Sequence, residues 1–194
     1  MPSKASGGIG FRDLKVFNQA MLGKQCWRLL TNEDSLLFRI LKARYFPHTT
    51  FLEAYRGGCP SSTWRSLWGA KSLLKEGLRW RIGDGTTVQV WEDAWVPCRM
   101  PLARPSSGLE FQPDLKVSDL ILGATMEWNE GLLRNLFSEE AVSMILPIPL
   151  SLRSPHDALF WYPTSDGLFT VRSAYWLGKL GHEDWRQVGA FDRA

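Results

Sequence analysis

The chain has 194 residues, 44% of them hydrophobic and 22% charged, with 23 Lys+Arg against 20 Asp+Glu and a formal net charge of +3. That length suits one ordinary domain or two small ones, and the composition excludes a disordered chain. It also excludes a membrane-spanning helix, since no apolar run approaches the ~18 residues one needs.

The opening MPSKASGGIG lacks the apolar stretch of a secretory signal. Cys26, Cys59 and Cys98 stand more than thirty residues apart. They speak against a disulfide framework or a Cys-only zinc site and fit a reducing compartment. The charge is uneven: residues 1–99 carry 15 basic and 8 acidic residues, a net +7, whereas residues 100–194 carry 8 and 12, a net −4. Only the first half is suited to approach a polyanion.

In chain order, Leu14, Phe17 and Met21, then Leu22, Cys26, Leu29 and Leu30, predict a first helix from their three- and four-residue spacing. Asn32 or Asp34 is placed to cap a second, with Leu37, Ile40, Leu41 and Tyr45 inward and Pro47 as its stop. A third begins at Ser61-Ser62-Thr63, uses Trp64, Leu67, Trp68 and Leu74, and ends at Gly77 as its C′ residue. Alternating residues on either side of Gly83-Asp84-Gly85 predict a β-hairpin over about 78–91. Residues 98–115 are rich in Pro and Ser and read as a linker between a basic segment, 1–97, and a small α+β segment, 116–194. In the latter, Trp128, Leu132, Leu133, Leu136 and Phe137 mark a short helix. Ser138 caps another, and Ser173 is placed to cap a last one. A second hairpin is expected over about 160–171. The fold class expected is α+β, mainly short helices with two β-hairpins.

Catalytic chemistry is hard to place on these residues. A two-metal polymerase or nuclease needs grouped carboxylates, and the chain has no Asp-Asp pair. Glu33-Asp34 and Glu139-Glu140 suit helix N-termini, while Glu92-Asp93 suits a turn or an ion pair with Arg79 or Arg81. No Cys-x-x-Cys is present, so no metal and no cofactor is expected. Gly83-x-Gly85 and Gly7-Gly8-x-Gly10 lack the Lys-Ser/Thr of a phosphate loop and read as turn glycines. Cys26 falls on an apolar stripe, where a thiol is a small buried hydrophobe. Most of the ten Trp read as core, with Trp91 and Trp95 set apart as candidate base-stacking residues.

The blocks GGIGFRDLKVFNQAMLGKQCWRLL, SLLFRILKARYFPHTTFLEA and TWRSLWGAKSLLKEGLRWRIGDGTTVQVWEDAWVP resemble, in this order, plant LINE-type (non-LTR) retrotransposon polyproteins. There they follow the reverse-transcriptase palm and thumb. DALFWYPTSDGLFTVRSAY resembles the start of the reverse-transcriptase zinc-binding region that precedes RNase H. The first part also resembles a short plant mitochondrial protein derived from such an element. The family's polymerase carboxylates and its Cys/His cluster match no residue here. The resemblance therefore implies a non-catalytic connector, in the nucleus or the mitochondrion, in contact with RNA or DNA non-specifically. Lys15, Lys24, Arg28, Arg39, Lys42, Arg44, Arg65, Lys71, Arg79 and Arg81 are the phosphate-contact candidates, with Trp91 and Trp95 beside them. The competing reading is an inactive structural remnant.

Overall fold

A computed structural model describes residues 13–97, 112–123 and 125–184. It has six helices and two small two-stranded antiparallel sheets, an α+β fold as the sequence predicts. The helices are α1 (Leu14–Thr31), α2 (Leu36–Tyr45), α3 (Ser62–Gly77), α4 (Glu130–Leu136), α5 (Glu139–Ile145) and α6 (Val171–Asp184). The strands are β1 (Leu78–Arg81), β2 (Ile121–Leu122), β3 (Glu127–Trp128) and β4 (Ala158–Trp161). Two compact units result. One holds the chain up to Gly77 and again from Trp161; the other is Leu78–Phe160. These boundaries differ from the expected division at 98–115. Of that linker, residues 98–111 lie outside the described residues, as do the Gly7-Gly8-x-Gly10 turn, Cys98 and the tail from Trp185.

In the first unit α1, α3 and α6 pack together around Ala20, Cys26, Leu29, Leu67, Ala70, Leu74, Ala174 and Leu177. Asp13 starts α1, its carboxylate accepting from the N–H groups of Lys15 and Val16. The cap of α2 is Ser35, which accepts from Phe38 N, rather than Asn32 or Asp34. Phe38 and Leu41 face inward, whereas Leu37 and Ile40, expected inward, are exposed. At α6 the cap is Thr170, whose hydroxyl accepts from Ser173 N. Ser173 itself is buried and accepts the indole N–H of Trp161 at 2.9 Å. A serine inside the first turn is thus spent on a tertiary partner.

Gly77 has a different role from the one predicted. It is the last residue of α3 and is not among the residues with positive φ, so no left-handed cap requires glycine. A Cβ there would overlap the six-membered ring of Trp161. Trp161 is fully buried, and Tyr162 N donates to Gly77 O at 2.9 Å. Glycine is needed because an indole lies flush on the backbone.

In the second unit the partner of β1 is β4, some eighty residues on, and not residues 86–91. A two-residue I′ turn needs positive φ at both central residues. Here only Gly85 has it; Asp84 does not. The chain therefore fails to fold straight back. Gln89 instead forms an isolated bridge with Lys116, with Val90 N to Leu115 O at 2.9 Å and Val117 N to Val88 O at 3.0 Å. The second expected hairpin is also only half formed. The turn after β4 closes through Trp161 N to Gly167 O at 2.8 Å, but residues 168–170 run on without becoming a strand. The core of this unit gathers Ile82, Val88, Val90, Trp91, Trp95, Val117, Leu120, Leu133, Val142 and Ile145. The α5 cap is Ser138, as predicted.

Replacing Gly77 by Ala is expected to force Trp161 out of place and lower stability by about 1–3 kcal/mol, the usual cost of overpacking. Urea unfolding of the variant checks it; an unchanged midpoint would show that the indole has room to move.

Candidate nucleic-acid interface

The cations of the first unit follow from helix geometry. Ala20, Gly23, Cys26 and Leu29 turn one face of α1 inward, which leaves Lys24 and Arg28, four residues apart, exposed on the other. On α2, burial of Phe38 and Leu41 leaves Arg39 and Arg44 exposed. Lys42 is half-buried, its Nζ 5.5 Å from the centre of the Phe38 ring. Arg44 lies 5.5 Å from the Tyr45 ring centre, and Tyr45 stacks on Trp64 at 4.5 Å with a 3° tilt. The Tyr45 hydroxyl donates to Ser61 Oγ and accepts from Ser61 N, both at 3.0 Å, which ties the end of α2 to the start of α3. Arg65 is exposed one residue after Trp64. Between them α1 and α2 carry six Lys and Arg and no Asp or Glu. All six (Lys15, Lys24, Arg28, Arg39, Lys42 and Arg44) are among the predicted phosphate contacts.

Apart from Lys71, the remaining predicted residues belong to the second unit, where three of them are not surface groups. Arg79 is buried, with Nη1 donating to Leu78 O at 2.7 Å. Trp91 and Trp95 are each 3% exposed. Their indole N–H groups donate to Gln112 O at 3.0 Å and Val90 O at 3.1 Å, and Trp95 lies 5.8 Å from Trp128. A base-stacking residue needs a free ring face; these two are core residues with satisfied donors. Arg81 is exposed, its guanidinium 5.3 Å from the Phe160 ring centre. Asp93 serves a turn, accepting from Gln89 N at 2.8 Å. Among the described residues no three His, Cys, Asp or Glu side chains converge as a metal cluster, and no helix is long and apolar enough to cross a membrane.

Two polar residues organise the structure in roles the sequence does not assign them, although Lys71 is among the phosphate-contact candidates. Lys71 is buried in α3, its Nζ donating to Ala54 O at 2.6 Å and lying 5.8 Å from the Trp68 ring. Burial, then the charge of Lys75, lowers the basicity of its amine. Its place on the Leu67–Ala70–Leu74 face was a signal available in the sequence. Nearby Cys26 is fully buried, and burial pushes its thiol up to about 12, the wrong direction for a nucleophile.

Asp157 is the second. One carboxylate oxygen accepts from Gly83 N at 2.7 Å and Gly85 N at 2.9 Å. The other accepts from Thr87 N at 3.0 Å and Thr87 Oγ1 at 2.7 Å. A Cβ on Gly83 would overlap the Pro155 carbonyl, so the approach is open only to glycine. The Gly-x-Gly turn is thus an anion cradle, already filled by the protein's own carboxylate. Asp84 faces outward, 3.2 Å from exposed His156.

No family model and no solved structure matches the chain. Two proteins of Arabidopsis thaliana are similar to it. An uncharacterised mitochondrial protein is 47% identical over 96 residues, which cover 50% of this chain and 62% of that relative. A protein provisionally named as a ribonuclease H protein is 28% identical over 178 residues, which cover 89% of this chain and 28% of the relative. The chain therefore spans less than two thirds of either relative.

Partial burial of Asp157 acts to raise its pKa, but the donors of Gly83, Thr87 and Gly85 outweigh it, and the net shift is downward. A lowered folded-state pKa gives stability that is complete above the unfolded value of ~3.9 and is lost as pH falls through the folded value. Asp157→Ala should cost about 2 kcal/mol at neutral pH, because it orphans the turn's N–H groups. The gap from wild type should narrow below about pH 4. Denaturant unfolding across pH 2–7 measures both, and a gap that stays constant with pH would refute the carboxylate's role.

Proposed function

We propose that this chain is a non-catalytic segment of a plant LINE-type (non-LTR) retroelement polyprotein, the family of RNA-directed DNA polymerases, and that it binds RNA or DNA non-specifically through α1 and α2. The alignment with the protein named for ribonuclease H supports the ancestry, because it runs through 89% of this chain, across both units. One observation carries the binding: Lys24, Arg28, Arg39, Lys42 and Arg44 project from two helices without a single acid. Cations without carboxylate partners are what a polyphosphate chain neutralises, releasing counterions as it does so. Contacts of this kind fix position and carry no sequence information.

The first unit supplies the scaffold and the cations, and Arg65 extends the same polarity onto α3. Of the candidates in the second unit only Arg81 is exposed, since Arg79 and both tryptophans are buried. Binding by this surface is therefore electrostatic rather than stacked.

Affinity for a single-stranded oligonucleotide should fall with salt, with a log–log slope of about −2 to −3 for three or four phosphate contacts. Replacing Lys24, Arg28, Arg39 and Lys42 by Gln together should flatten that slope to near zero. Trp91→Leu should leave the slope unchanged. A flat salt response in the wild-type chain, or no binding at low ionic strength, would leave the inactive remnant as the better reading.

A further inference from the structure

Beside the cations of the first unit, α1, α2 and the start of α3 enclose an open groove of about 360 Å³. Leu22, Leu37 and Leu67 make its apolar surface, and Ser62, Thr63 and Ser66 add hydroxyls along α3. The apolar surface continues outward. Met21 is 45% exposed and Ile40 56%. On α2, Leu37, Ile40 and Arg44 stand at i, i+3 and i+7, so a cation extends the apolar stripe. On α1, Arg28 donates to Gln25 Oε1 at 3.4 Å, and Gln25 lines the groove. The rim is therefore cationic at both helices while the floor is apolar.

We propose that this groove receives an acidic amphipathic helix of a partner protein. The argument rests on charge and on the apolar floor together. A second copy of this chain docking by the same face would bring its own six cations against the same six, and like charges in an interface repel. A phosphate backbone would satisfy the rim and leave Leu22, Leu37 and Leu67 with nothing to pack on. An amphipathic helix lays apolar residues spaced three and four apart into such a groove. Glu or Asp on its flanks would meet Arg28 and Arg44. This site shares Arg28 and Arg44 with the phosphate contacts proposed above, and what sets it apart is its apolar floor of Leu22, Leu37 and Leu67.

The test is methyl NMR and affinity measurement on the full chain with three probes. The first is a helical peptide of about 18 residues, five turns, with Leu at i, i+3, i+4 and i+7 and Glu elsewhere. The second has Lys in place of Glu, and the third is a single-stranded oligonucleotide. The acidic peptide should shift the methyls of Leu22, Leu37 and Leu67, and the Lys peptide should bind at least ~10-fold more weakly, the scale of two or more exposed charge pairs turned repulsive. Leu37→Asp and Arg28→Glu should each weaken the acidic peptide by ~10-fold or more. Both positions are exposed, and circular dichroism establishes that the variants stay folded. Equal binding of the two peptides, no methyl shifts at ~1 mM peptide, a concentration at which even binding of about −4 kcal/mol half-saturates the site, or the same methyl shifts with the oligonucleotide would overturn the proposal.

Discussion

Asp157 reaches across more than seventy residues of sequence to hold the turn at Gly83–Thr87, and the second unit takes its course from that reach. Four donors on one carboxylate satisfy three backbone N–H groups that the turn leaves without intrachain ladder partners. Because the turn is held from outside, the chain after Gly85 does not fold back on β1. It goes instead to Leu115–Val117, and β1 is left to pair with β4. The hydrophobic core of the unit then closes around Val88, Val90, Trp91 and Trp95. The same carboxylate fills the Gly83-x-Gly85 cradle, a place that a sequence reader inspects for a phosphate.

The first unit depends on a comparable long-range contact. Trp161 covers the backbone of Gly77, donates its indole N–H to Ser173 and lies 4.5 Å from Phe169. Phe169 in turn stacks near Trp27 at 6.2 Å and fills the space over Gly23. Through these rings the segment that follows β4 is joined to α1 and α3. Packing of this kind leaves the outer faces of α1 and α2 without a structural duty, and the cations stand there. Function, on this account, belongs to what the core leaves outside.

The helices were legible because their apolar spacing is local: α1, α3 and α5 begin and end close to the expected residues, and Ser138 caps α5. The small errors at α2 and α6 came from neighbouring capping residues, Ser35 for Asp34 and Thr170 for Ser173, between which local sequence scarcely discriminates. The larger misreadings share a cause. Gly77, Asp157, Trp91 and Trp95 owe their roles to partners between five and eighty-four residues away. A Gly after a helix reads as a cap, and an Asp-Gly between alternating runs reads as a hairpin turn, until the distant partner is known. The cations of α1 and α2 were legible as charges; that they share the exposed faces of two helices without Asp or Glu became informative only once the buried faces were fixed.

The central claim is the proposal that nucleic acid binds along α1 and α2 of the first unit. Photo-crosslinking of the full chain to a 4-thiouridine-bearing oligonucleotide, with the adducts located by mass spectrometry, tests it most directly. The account predicts adducts on peptides covering Lys24–Arg28 and Arg39–Tyr45, lost on raising the salt. Adducts confined to the second unit, or centred on Trp91 and Trp95, would contradict it.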